Sequence, residues 1–125
     1  MILDTNALSA WADGDRLIEP LLRSAASIIV PVVALGEFEY GIRQSRHYRR
    51  YADWLATNLD SVDVAPLDRE VARAYGVVRL ELKKSGTPIP INDTWIAAIA
   101  LHRRLPIISR DGHFDVVSGI ERVSW

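Results

Sequence analysis

The chain has 125 residues, 49% of them hydrophobic and 25% charged, and its 15 basic and 16 acidic side chains leave a net charge of −1. That is the length of one domain able to bury a core unaided, and the charge balance exerts no overall pull towards nucleic acid. The lack of cysteine excludes a disulfide framework and thiolate zinc sites, no apolar run reaches the length of a membrane span, and Met1-Ile2-Leu3-Asp4 has neither a basic stretch nor a signal core; the expectation is a cytoplasmic protein forming a single domain over residues 1–125.

Short apolar β-prone runs alternate with longer helical patterns, which predicts a parallel sheet covered by helices. Ile2-Leu3 reads as a short buried strand ending at Asp4. One or two helical turns follow at residues 7–11. A helix is predicted over residues 15–26, with Leu17, Leu21 and Leu22 inward and Pro20 awkward within it. Residues 27–30 form a second buried strand. Pro31 suits the first turn of a helix that runs to about Gln44, with Val33, Phe38 and Ile42 as its apolar side. A further helix over residues 47–59 carries Tyr51, Trp54 and Leu55, and residues 62–65 are the third strand. Leu67, Val71, Ala74, Tyr75, Val78 and Leu82 keep helical spacing up to Gly86, which closes that helix. Thr87-Pro88-Ile89-Pro90 is extended loop, because each proline restricts the residue before it. Residues 92–104 are the last long helix, residues 106–109 the fourth strand, and residues 121–125 a candidate fifth. Arg43, Arg46, Arg49 and Arg50, the Lys83-Lys84 pair and the Arg103-Arg104 pair read as solvated helix ends; the competing reading is a set of patches for a phosphate backbone.

This order of elements brings four distant acids to one rim. Parallel strands joined by right-handed crossovers all point the same way, and ligands gather at their carboxyl ends. Asp4 follows the first strand. Glu37 lies in the second turn of the helix that leaves the second. Asp111 follows the fourth. Asp93 opens a helix that must run back to the start of the fourth strand, so it begins at the same edge. Asp60 and Asp63, before and within the third strand, do not. Singly, each acid has an ordinary account: a helix cap for Asp4, a first-turn acid for Asp93, a plain turn at Asp111-Gly112, an exposed helix residue for Glu37. Together they ask for a cation. Two carboxylates ~4 Å apart repel by roughly 4 kcal/mol at an effective dielectric near 20. Protons or a divalent metal must relieve that, and a metal held by carboxylates points to phosphate chemistry. Asp115 is either a fifth ligand or a surface turn. His47, His102 and His113 show no zinc spacing, and His113, although near the proposed site, reads as a turn histidine. There is no Gly-x-Ser-x-Gly elbow and no Walker loop.

Leu3-Asp4-Thr5-Asn6, Glu37-Phe38-Glu39-Tyr40-Gly41, Asp93-Thr94-Trp95-Ile96-Ala97-Ala98 and Ser109-Arg110-Asp111-Gly112-His113-Phe114 occur in the order seen in PIN-domain ribonucleases. Over nearly its whole length the chain resembles the VapC toxins of type II toxin–antitoxin pairs. The resemblance implies an α/β fold, a three-layer α/β/α sandwich around a short, mostly parallel sheet of four to five strands. It implies an endoribonuclease that depends on Mg2+ or Mn2+, with Asp4, Glu37, Asp93 and Asp111 as its acidic site. It also implies a small VapB-like antitoxin that wraps the toxin, and homodimers or toxin–antitoxin hetero-oligomers. Ser109 stands where the family often has threonine and keeps the hydroxyl. Within this chemistry Asp4 and Asp93 are expected to bind the metal directly, and Glu37 and Asp111 through water or by orienting the attacking water. Thr5, Asn6 and Ser109 would support the ligands, and Arg110 would meet a substrate phosphate. The competing readings are another metal-dependent phosphohydrolase or DNase on the same fold, and a non-catalytic interaction module.

Overall fold

Five short strands pair into one sheet that is parallel throughout. In the computed structural model, which describes residues 1–125, the strands are β1 (Ile2–Leu3), β2 (Ile29–Pro31), β3 (Asp63–Ala65), β4 (Ile107–Ile108) and β5 (Arg122–Val123), in the order β3-β2-β1-β4-β5. β1 is central, with Ile2 opposite Ile29 on one side and Ile107 on the other. The helices are α1 (Thr5–Ala12), α2 (Glu19–Ser24), α3 (Val32–Arg43), α4 (Tyr48–Asn58), α5 (Arg69–Ser85) and α6 (Ile91–Arg103).

Side chains alternate across a strand, and this alternation sorts the core into two layers. Ile2, Ile29 and Ile107 pack with Val71, Val78 and Leu82 of α5 and with residues 96–100 of α6. Their neighbours Leu3 and Ile108 pack with Ala7, Ile18 and Leu22, and Val30 packs with Leu8, Phe38, Ile42 and Leu55. Helices therefore cover both faces, giving the α/β/α sandwich. Each isoleucine so buried contributes about 1.5–3 kcal/mol, which is how strands of two or three residues persist.

Several boundaries differ from the sequence-based expectation. The helix expected over residues 15–26 shrinks to α2, which starts at Glu19 and holds Pro20 in its first turn. There the missing N–H breaks no hydrogen bond. The change of frame turns Leu17 outward, 67% exposed, and gives its inward place to Ile18. Pro31 ends β2, paired with Ala65, and immediately precedes α3 instead of lying in it. Ala34 takes the buried place expected of Val33. Leu67 is exposed ahead of α5, whose first turn is capped by the Asp68 carboxylate accepting from the Val71 N–H at 2.9 Å. Gly86, at φ 70°, ends α5 in the left-handed region that glycine adopts without strain. No helix is long and apolar enough to cross a membrane. Among 29 buried residues only Asp4, Thr94 and Ser109 are polar, and two of these lie at the carboxyl rim of the sheet.

Candidate active site

Asp4 leaves β1 and caps α1. One carboxylate oxygen accepts from the Ala7 N–H at 2.7 Å. The other accepts from the Ser109 hydroxyl, just beyond β4, and more distantly from the Asn6 amide at 3.4 Å. The residue is 3% exposed. Burial raises its pKa against the pull of the Ser109, Ala7 and Asn6 bonds, and the charge of Asp93 adds to the rise. The same Ser109 Oγ accepts from the Asp111 N–H at 2.9 Å, so one buried hydroxyl ties two of the acids together.

Asp93 sits in the first turn of α6, half-buried. Its pKa is also raised, first by burial and then by the charges of Asp111 and Glu37, with His113 opposing. Asp111 caps a short 3-10 turn over Gly112–Val116 by accepting from the His113 N–H at 2.9 Å. That turn swings the His113 ring back between two acids: Nδ1 lies 2.9 Å from Asp93 Oδ2 and 3.1 Å from Asp111 Oδ2. The hydrogen bond to Asp93, then the charges of Asp111 and Asp93, raise the imidazole pKa against desolvation. One potential ligand atom from each of Asp93, Asp111 and His113 falls within 4.8 Å of the others. Glu37, on α3, accepts from the Thr5 hydroxyl at 2.5 Å and from the Asn92 amide at 2.8 Å.

The nearby arginines are engaged elsewhere. Arg110, expected to face a phosphate, instead donates to Asp15 at 3.2 Å, and its guanidinium stands 4.4 Å from the centre of the Trp125 ring. Asp115 is clamped by Arg122 at 2.7 and 2.8 Å, which lowers its pKa, and Arg122 also donates to the Ser109 carbonyl at 3.1 Å. Two clefts open from the acids. One, of about 310 Å³, is bordered by Thr5, Ser9, Glu37, Ser45 and Tyr51. The other, of about 580 Å³, is bordered by Asn6, Asp15, Arg110, Asp111 and Trp125.

Residues 1–120 match the family described as "PIN domain". The chain belongs to the PIN domain family. This PIN domain is 35% identical over 125 residues to "Ribonuclease VapC5" of Mycobacterium tuberculosis, an alignment covering 98% of the chain and 90% of that relative. Its fold is similar to VapBC2 from Rickettsia felis, solved bound to a DNA fragment from their promoter: TM-score 0.90 at 21% identity, over 99% of this chain and 97% of the other. VapBC-5 from Mycobacterium tuberculosis, a toxin–antitoxin system, gives a TM-score of 0.75 at 29% identity, over 99% and 97% of the two chains.

The donor set of this PIN domain suits a hard divalent cation. Its oxygens come from four carboxylates, no lysine or arginine forms an ion pair with any of them, and two of the four have pKa values raised by burial and by their acidic neighbours. Asn92 is a part of the constellation that sequence reasoning missed, and His113, read as a turn histidine near the site, lies in a turn but also reaches between two of the acids. Asn92 adjoins Asp93 at the start of α6, so its place on the rim was available from the same topological argument. The place of His113 depends on the 3-10 turn, which has no periodic signature.

Proposed function

We propose that this PIN domain, a single domain over residues 1–125, is a Mg2+- or Mn2+-dependent endoribonuclease acting as the toxin of a VapBC-type pair. The observation that carries this reading is the gathering of Asp4, Glu37, Asp93 and Asp111 at one rim, from four separate segments, with no lysine or arginine in an ion pair with any of them. Asp4 and Asp93 would hold the cation directly, and Glu37 and Asp111 would reach it through water. Such a cation, when bound, lowers the pKa of a coordinated water and offsets charge on a phosphate. The chain's own residues then set direction. Ser109 and the Ala7 N–H fix the two oxygens of Asp4. Asp111 is fixed through its capping bond. Glu37 or Asp111 orients the water that attacks phosphorus, and the P–O bond to the leaving nucleotide breaks as the new one forms. Asn6 and Arg110 border the wider cleft, with Arg110 held there by Asp15, while Asp115 stays paired with Arg122.

The name of the VapC5 relative supports RNA as the substrate, and the VapBC likenesses support a VapB-like antitoxin partner, with homodimers or toxin–antitoxin hetero-oligomers as the assembled forms. An RNA substrate and such a partner support a cytoplasmic location. The test is a cleavage assay on single-stranded RNA, structured RNA and DNA, with Mg2+, Mn2+ or a chelator, beside calorimetry with Mn2+. Metal-dependent RNA cleavage that Asp4→Asn abolishes is the expected result. Cleavage of DNA alone would replace the proposal with a DNase, and absence of both Mn2+ binding and cleavage would leave an interaction module.

A further inference from the structure

Asn92 is exposed, yet its side chain makes one hydrogen bond, and that bond crosses 55 positions of sequence to reach Glu37. It has no part in starting its own helix: α6 begins after Pro90, without a side-chain cap. Nor does the fold need the bond, because α3 and α6 already meet in the core through Ala34 and residues 96–100. Glu37 by contrast has good reason to be held. It is a flexible side chain beside other acids, and its charge acts on Asp93. Mutual repulsion would drive such a group out to water. It is instead fastened at both oxygens, by Asn92 from α6 and by the Thr5 hydroxyl from α1.

Both fasteners are neutral. An arginine or lysine would grip the carboxylate more strongly but would cancel the charge that a cation site requires. An amide and a hydroxyl restrain direction and leave the charge intact. From this geometry we infer that Asn92 is a positioning residue, holding Glu37 together with Thr5 so that three helices aim one acid at the rim. The inference rests on the reading of that rim as a metal-dependent nuclease site.

Asn92→Ala and Asn92→Leu test it, the second keeping the side-chain volume while removing the donor. Outer hydrogen-bond partners of metal ligands typically contribute 10–100-fold to activity or metal affinity. Both variants should lower kcat for RNA cleavage by about tenfold or more with KM changed less than about twofold, and should weaken Mn2+ binding in calorimetry several-fold. In a Glu37→Ala background the same substitutions should leave Mn2+ affinity where Glu37→Ala alone puts it. Unchanged kcat and Mn2+ affinity in the single variants, or an equal loss of affinity in both backgrounds, would overturn the role. A wild-type protein that neither binds Mn2+ nor cleaves RNA would defeat the nuclease reading itself and this inference with it. A wild type that does both, insensitive at Asn92, defeats the inference alone.

Discussion

At Asp4 the carboxylate that caps a helix is also the one proposed to hold a cation. It caps α1, yet burial keeps its pKa above the usual aspartate range, and Asp93 is shifted the same way. A folded-state pKa above the unfolded value means that the folded chain binds the proton more tightly. In the metal-free protein the stability linked to these two groups is therefore fullest below pH ~3.9 and falls as pH rises through their raised values. His113 has the same sign in a higher window: its contribution is complete below pH ~6.5 and is lost as pH passes its raised folded value. Asp4→Asn should consequently raise the melting temperature of the metal-free protein at pH 7.5, by about 3 °C if the relief is near 1 kcal/mol, and this gain should vanish near pH 4. Asparagine can keep the cap. The same variant should lose RNA cleavage by about a thousandfold, the scale of several kcal/mol of charge stabilisation. Thermal melts with chelator at the two pH values, beside a cleavage assay, check both outcomes.

The elements that position the site are held by features distant from it. α5 starts on the Asp68 cap and ends on Gly86; the glycine stop was legible in the sequence because cap chemistry is local, whereas the expected spacing began too early, at Leu67, and passed over the Asp68 cap. Asp68→Ala should cost about 1 kcal/mol in denaturant unfolding and leave RNA cleavage unchanged. The 3-10 turn that presents Asp111 and His113 is anchored by fully buried Phe114 and by Arg122, which bonds both Asp115 and the Ser109 carbonyl. Phe114→Ala should cost about 3–5 kcal/mol and lower kcat as well, because two site residues ride on that turn; unfolding curves and turnover on the same preparation would show it. Where the reading of elements missed, a single residue explains the miss. Pro20 is tolerated only in a first turn, so α2 starts later than its leucines suggest, and Ile18 takes the inward place that spacing assigned to Leu17.

Across the whole molecule, the acids at the rim oppose one another, and a cation bound there, as proposed, would link metal binding to folding. Mn2+ should raise the melting temperature progressively, by the equivalent of about 2.7 kcal/mol at a hundred times its Kd, and Asp4→Asn should largely remove the response; melts over a Mn2+ series measure this. The convergence itself was readable from residue order, because handed crossovers between parallel strands allow little other arrangement, and the helix-covered sheet followed from short apolar runs taking turns with longer helical patterns. The pairings within the site were not readable. Ser109 meets Asp4 across 105 positions, Asn92 reaches Glu37, His113 turns in between Asp93 and Asp111, and Arg110 is drawn away to Asp15 and Trp125. Periodicity and topology place a residue on an edge. Which atoms then touch depends on side-chain rotamers and on loop paths set by packing, and these exist only once the three layers have closed.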